Sequence, residues 1–585
     1  MQNGLASKNS LGWWLACLLV AAAYLVSSPM AWQCEGVDEI EYLGLAHSLA
    51  RGQGYTIDGA PYAYYPPLYP VVLSGAVFRG HDPRWASGYR LNGLLGVAAL
   101  ILAGTWFRRM RGEAGRWAGW LLLFSYYAWS FSTRYLMSEP LYTALATMAL
   151  LLAAQALERE QVGGRVCWVV GLFALLAATT RFGAVALTGS LVVAAALKGL
   201  RTRSRSAWCL ALVVAVLAGG FTVFWEARAQ VVAPTASESY LRWVWKVLGL
   251  SRETSGLIAQ SIGEGVVRAT PWLERLGLAA ARLGQYVLSA VRVPAGFAPL
   301  AIVVAVLVGV GVVKELRERP WSPPAWYVIL SFLMAGATLW VSSYLRYMYV
   351  AGPFLFYFFI VGLRKWHACM RDGSRIWRAM TGVAGVIGFG VACWFGMGEG
   401  RGAEQLYVGA VHVLLMCLYA AMLVLAVLPG RRLDTVHSLL GRPRVAVALL
   451  VILALHAVGL ARMRSAMTAQ QAMPRLRNLT GLVEVSDWVR ANTPEMVRHV
   501  AVLPRLNTFL SDRTFAKPVY DESGRLVLNR VRFVVASGLL RDIPSFRDAD
   551  ELRLEEAVRA AEETGRLRRV VESGGASVYE VVAQE

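Results

Sequence analysis

Two adjacent acids, Asp38 and Glu39, follow the first strongly apolar segment of the chain. Carboxylates at the end of a membrane segment can take a proton from a substrate hydroxyl or orient it. They can also simply begin a helix, since Asp38 with Glu41 three residues on has the pattern of a capping box. Three arginines break an otherwise regular charge pattern. They are Arg134 in STRYLMSEPLY, Arg181 in ATTRFGAV and Arg346 in SSYLRYMYVAGP, and Glu139 stands close to the first. Charged groups at membrane depth are costly unless paired or functional. The planar donor fork of arginine matches phosphate oxygens and keeps its charge, so these positions suit the head group of a phosphate-bearing lipid. A plainer reading pairs Arg134 with Glu139 and leaves Arg181 and Arg346 as anchors of helix ends.

The elements that must hold these residues are membrane helices. Of the 585 residues, 56% are hydrophobic and only 16% are charged, where soluble domains carry about 25% charged residues. The chain therefore has the composition of a polytopic α-helical membrane protein. About 13 apolar segments are long enough to cross a bilayer. They lie near 11–32, 89–107, 115–133, 138–157, 166–180, 182–199, 207–225, 295–313, 325–342, 347–363, 379–397, 406–429 and 445–461. The first has no clear cleavage site and reads as a retained span. Basic connectors such as RRMRGEAGR (108–116), EREQVGGR (158–165), KELRER (314–319) and RKWHACMRDGSRIWR (364–378) alternate with acidic or neutral ones. By the positive-inside rule this places the N-terminus in the cytoplasm of a plasma (inner) membrane and the C-terminus outside it. The net charge of +20 is accounted for by the same rule, without nucleic acid as a partner. Seven cysteines, among them Cys34 without an evident external partner, give no disulfide framework or metal site.

Two external connectors are long. In 33–88, Ile40, Leu43, Ala46, His47 and Ala50 recur at helical spacing, which predicts a short amphipathic helix lying on the membrane surface and stopped by Gly52 and Gly54. Tyr62, Tyr64, Tyr65 and Tyr69 then surround Pro66-Pro67, an aromatic cluster suited to a membrane interface. The connector 226–294 carries a second amphipathic stretch, YLRWVWKVLGL. The division expected is a membrane domain over 1–461 and a small extracytoplasmic α/β domain over 462–585. In the latter, SDWVRANTPE and ELRLEEAVRAAEETG read as helices, and a Val-rich segment, VRFVVASG and ASVYEVV read as strands.

The stretch from Cys34 to Pro70 resembles the start of the GT-C glycosyltransferases that use polyprenyl-phosphate sugars, such as protein O-mannosyltransferases and lipid A aminoarabinose transferases. The shared pattern is Asp38-Glu39, Tyr42, Ala46, Gly52 and Pro66-Pro67-Leu68-Tyr69-Pro70. It extends to the acid Glu139, to Arg181, and to Arg346-Tyr347 ahead of Pro353. The resemblance implies a GT-C membrane fold and an inverting transfer from a polyprenyl-phosphate sugar to a lipid, glycan or protein hydroxyl on the extracytoplasmic face. It makes Asp38 the base, with Glu39 beside it. Arg134, Arg181 and Arg346 would hold the donor phosphate, and Tyr42, Tyr65, Tyr69, Glu139 and Tyr347 would line the acceptor or donor pocket. No cofactor or essential metal is implied, although the acids could hold a divalent cation through oxygen. One departure stands out: where several aminoarabinose transferases carry a lysine before the proline motif, this chain has Tyr64 and Tyr65, which leaves the acceptor open. Two other readings are a transporter or lipid flippase, which calls for repeated halves or mid-membrane acids, and an inactive scaffold of the same fold. Neither a repeat nor a central acid is found, and the Asp38-Glu39 pair is intact. No dinucleotide, Walker or HExxH motif occurs in a supporting context.

Overall fold

In the computed structural model, the described residues are 10–26, 37–57, 60–78, 84–123, 132, 135–159, 162–232, 272–288, 298–337, 344–371, 484–489, 491–493, 499–501, 515–516, 526–527, 531–537, 549–573 and 576–582. Apolar runs broken by short connectors produce helices over the first ten expected spans. These are α1 (Ser10–Val26), α4 (Trp85–Met110), α5 (Gly112–Leu123), α6 (Glu139–Glu158), α7 (Gly164–Ala178), α8 (Ala184–Thr202), α9 (Arg205–Val232), α11 (Ala298–Glu318), α12 (Pro323–Ala337) and α13 (Tyr344–Arg371). The segments expected at 379–397, 406–429 and 445–461 lie outside the described residues. Among the described residues, five helices, α4, α6, α8, α9 and α13, are long and apolar enough to cross a bilayer.

The bundle has inner and outer members. The spans of α6 and α13 are 72% and 78% buried within the protein, against 33% for α9. α6 packs on α4, α7, α8, α12 and α13. Close approach rests on small residues, as is usual between membrane helices. A Cβ on Gly311 or Gly362 would run into backbone of the partner helix where α11 crosses α13. The connector 226–294 also contributes to the bundle. Its helix α10 (Trp272–Leu288) packs against α11, α12 and α13 through Ala279, Leu283, Tyr286 and Val287.

The connector 33–88 is more structured than a loop. α2 (Val37–Ala50) is the expected helix, and Gly52 and Gly54, with φ of +72° and +81°, turn the chain out of it. It is not half-exposed as a surface helix would be. Glu39, Ile40, Tyr42, Leu43, Leu45, Ala46 and Ser48 are all buried, so α2 is packed on most sides. A two-stranded ribbon follows, with β1 (Thr56–Ile57) antiparallel to β2 (Ala60–Pro61). The proline motif then opens α3 (Leu68–Val77), which the loop reading did not anticipate. Proline tolerates the start of a helix, and the apolar run after Pro70 continues it.

The C-terminal residues form a five-stranded mixed sheet with β3 (His499–Ala501), β4 (Phe515–Ala516), β5 (Phe533–Ser537), β6 (Leu567–Ser573) and β7 (Ala576–Val581) in the order β4-β3-β5-β7-β6. One face carries α14 (Ala549–Glu563) through Val534, Leu554, Val558 and Tyr579. The other face, with Phe533, Val535, Ala576 and Val578, joins one apolar cluster with Ile40, Leu43, Tyr69 and Leu73 of α2 and α3. The sheet therefore sits at the end of the bundle that holds Asp38.

Candidate functional site

The site is built on the first turn of α2. The helix begins at Val37, so Asp38 lies inside the first turn rather than capping it. The capping-box partner is otherwise engaged, since Glu41 Oε2 accepts the Tyr62 hydroxyl at 2.5 Å. A carboxylate in a first turn is favoured by the partial positive charge of the helix N-terminus.

Asp38 and Glu39 face different surroundings, as neighbours on a helix must. Glu39 is fully buried, and its Oε1 accepts the Leu136 backbone N–H at 2.7 Å and the Tyr89 hydroxyl at 3.5 Å. Those bonds fasten α2 to the segment that leads into α6. Asp38 is half-buried and lies against the tyrosines. Burial pushes the Tyr65 phenol well above its ordinary value, and the nearby Asp38 charge raises it further. Burial does the same to Tyr62, where Tyr55, Tyr42, Tyr64 and Asp38 add to the rise. Both phenols are therefore neutral donors at physiological pH.

The tyrosines form a packed wall. Tyr42, one turn after Asp38, stacks on Tyr65 with ring centroids 4.5 Å apart and meets Tyr69 edge-on at 5.0 Å. Tyr69 is held by Asn92 Nδ2, which donates to its hydroxyl at 2.8 Å and to the Tyr135 and Met137 carbonyls at 2.8 and 3.1 Å. The Leu68 N–H donates to the Thr179 carbonyl at 2.8 Å, which seats the proline motif on the end of α7.

A polar chain leads from this wall to the arginine. The Tyr42 hydroxyl and Ser138 Oγ lie 2.8 Å apart. Arg181 Nη1 donates to Ser138 Oγ at 3.4 Å and forms an ion pair with Glu139. Glu139 is fully buried at the start of α6, and the Arg181 side chain is 15% exposed. Of the residues singled out from the sequence, Asp38, Glu39, Tyr42, Tyr65, Tyr69, Glu139 and Arg181 thus converge. Arg134 lies outside the described residues. Of Arg346 and Tyr347 only the backbone, in the first turn of α13, is described. Ser138, Asn92 and Tyr89 were not singled out, and Tyr62 was read only as part of the interfacial aromatic cluster. Ser138 was readable as the neighbour of Glu139, whereas nothing in the sequence connects Asn92 to Tyr69.

No family model matches the chain, and no curated protein matches it. Its fold is nevertheless that of solved structures. ArnT from Cupriavidus metallidurans bound to undecaprenyl phosphate superposes with a TM-score of 0.52 and 14% identity over 98% of this chain and 99% of that one. The apo state of the same protein gives the same values. The apo oligosaccharyltransferase of Archaeoglobus fulgidus, with a TM-score of 0.46 and 12% identity over 94% of this chain and 73% of that one, adds no weight. The chain thus shares the fold of ArnT over almost its whole length.

Proposed function

We propose that the protein is an inverting glycosyltransferase. It moves a hexosyl or pentosyl group, mannosyl being the family precedent, from a polyprenyl-phosphate donor to a hydroxyl of a lipid, glycan or protein. The site faces the extracytoplasmic side of a plasma (inner) membrane, with the N-terminus in the cytoplasm. Asp38 takes the acceptor hydroxyl proton. The acceptor oxygen bonds to the anomeric carbon as the bond to the phosphate oxygen breaks on the opposite face. The lipid phosphate leaves with the electron pair, and arginine stabilises its charge. Arg181, held by Glu139 and Ser138, is assigned this role, and Arg134 and Arg346 are its proposed companions. Glu39 positions α2, and the tyrosines form the wall beside the reacting groups. Tyr347 is assigned to the same pocket. The reaction as written uses no metal.

The observation that carries the reading is the contrast between the two adjacent acids. Glu39 is fully buried, whereas Asp38 is half-exposed beside neutral phenols and one turn from the chain to Arg181. ArnT, with the same fold, was solved with undecaprenyl phosphate bound, which supports the donor class. The test is sugar transfer from polyprenyl-phosphate sugars by purified protein, with and without a chelator. Asp38→Asn should fold and bind donor, but transfer should fall roughly 10²–10⁴-fold, the usual share of general-base catalysis. A well-folded variant with near-normal turnover would overturn the assignment.

A further inference from the structure

Lys198 is a charged residue that the proposed reaction does not use. It lies near the C-terminal end of α8, at the end of the bundle remote from Asp38, and is only 9% exposed. Lysines are almost never buried to this degree unless an acid pairs with them.

The Lys198 ammonium meets an aromatic ring instead. Its Nζ stands 4.5 Å from the ring centroid of Trp321, in the turn that joins α11 to α12. The guanidinium carbon of Arg201, three residues further along α8, lies 5.9 Å from the same ring. Residues three apart on a helix are neighbours, and like charges so placed repel. Among the described residues, no carboxylate pairs with either cation. The acids at this end are engaged elsewhere, Glu158 and Glu315 with Arg111 and Arg319, and Glu318 with Lys314. A tryptophan face attracts a cation through its quadrupole, but it carries no net charge and offers the three ammonium donors no lone pair.

These observations fix the chemistry of the group that would complete the cluster. It is an anion, because two cations converge on one ring and no acid neutralises them. It is rich in acceptor oxygens, because an ammonium and a planar guanidinium fork together match a phosphate. It is reached from the membrane surface, because α8 is long and apolar enough to cross a bilayer and Lys198 is about one turn from its end. Tryptophan is also the side chain favoured at that level.

We infer that Lys198, Arg201 and Trp321 bind the phosphate of an anionic membrane phospholipid. Basic pockets between membrane helices hold such head groups. A zwitterionic phospholipid fits less well, because its own ammonium cancels the charge that the cluster lacks. A lipid seated here joins the end of α8 to the α11–α12 turn, which the Glu315 network does not do. The site lies at the opposite end of α8 from Arg181, so it stands or falls independently of the proposed transfer.

The test is thermal stability of the purified full-length protein, stripped of lipid in a neutral detergent, with added phosphatidylglycerol, phosphatidylcholine or inorganic phosphate. Phosphatidylglycerol should raise the wild-type Tm by several degrees, because it binds the folded state, and the other two should give only a minor part of that rise. Lys198→Met should abolish the excess of phosphatidylglycerol over phosphatidylcholine, and Lys198→Arg should keep part of it. Arg201 is exposed, so Arg201→Gln should fold normally and raise the phosphatidylglycerol concentration at half-maximal shift several-fold. It decides the matter if Lys198→Met does not fold. Arg165→Gln removes another exposed charge from the same end, at the start of α7, and should respond as wild type. Equal shifts with phosphatidylcholine overturn the inference, and a full shift with inorganic phosphate replaces the lipid by a soluble anion. An unchanged response in Lys198→Met and Arg201→Gln overturns it too. So does an equal loss in Arg165→Gln, which is the mark of diffuse attraction to a basic surface.

Discussion

The two ends of the helical bundle use the same residue types to opposite effect. At the end remote from Asp38, Glu315 is saturated. Its Oε1 takes Arg111 Nη2 at 3.3 Å, Arg319 Nη1 at 3.3 Å and Ser322 Oγ at 3.2 Å, and its Oε2 takes the Tyr357 hydroxyl at 3.0 Å. Glu158 adds a 2.7 Å bond to Arg111. This network ties α6, α11, α12 and α13 to the turn between α4 and α5. At the other end, Glu139 and Arg181 also pair, but neither carboxylate oxygen of the buried Glu226 is hydrogen-bonded. A saturated network clamps helices together. An unsaturated one keeps hydrogen-bonding capacity for something that arrives.

The clamp gives the largest expected effect on stability. Glu315→Ala takes from Arg111, which is 4% exposed, one of its two carboxylate partners, and takes from the Tyr357 hydroxyl and Ser322 Oγ their shared acceptor. Removing one partner of a buried pair costs about 3–5 kcal/mol. Thermal unfolding in detergent should show a large fall in Tm, while Glu226→Met shows none. If Glu315→Ala were as stable as wild type, the contrast between the two ends would dissolve.

The two ends were not equally legible in the sequence. Asp38 and Glu39 stood out as adjacent acids at the foot of a span, and Arg181, with Glu139, as an exception to the charge pattern of an external face; the structure brings them together. Arg111, Glu158, Glu315 and Arg319 fell in connectors whose basic character already explained them, so their burial was invisible. Hydrophobic runs located ten described helices, because a bilayer span needs a long apolar stretch whatever its partners. The same criterion passed over α3 and α10. α3 is too short, and α10 carries Glu274, Arg275 and Arg282 on a helix that still packs on three others. Glu226 was taken only as the first residue of a connector, because nothing local to it reveals that it is buried.

An intermediate effect separates pairing from substrate binding at Arg181. Arg181→Met removes the ion-pair partner of the buried Glu139. Its cost should be roughly 2–3 kcal/mol, below the full buried-pair penalty because the arginine is partly exposed. Adding Glu139→Gln removes the stranded charge and should restore most of the stability. Donor affinity, measured by binding of a polyprenyl-phosphate sugar, should stay low in both variants. Recovery of donor binding in the double variant would reduce Arg181 to a partner of Glu139 and make the two ends of the bundle alike.

The smallest expected effect lies at Tyr42, where the two functions of the site meet. Its ring is held between Tyr65 and Tyr69, and its hydroxyl reaches Ser138. Tyr42→Phe keeps the ring contacts and removes one buried hydrogen bond, worth about 1 kcal/mol. Ser138 Oγ still has Arg181 Nη1 at 3.4 Å, so the hydroxyl is not stranded and the loss should stay at that size. If Tyr42 only packs, the Tm should fall slightly and donor affinity should not move. If it relays position from α2 to Arg181, the same small loss should come with a several-fold drop in donor affinity, and Ser138→Ala should reproduce that drop without adding to it in the double variant. Additive losses from Tyr42→Phe and Ser138→Ala would show that Asp38 and the arginine are positioned independently, and the chain Tyr42–Ser138–Arg181 would have no functional meaning.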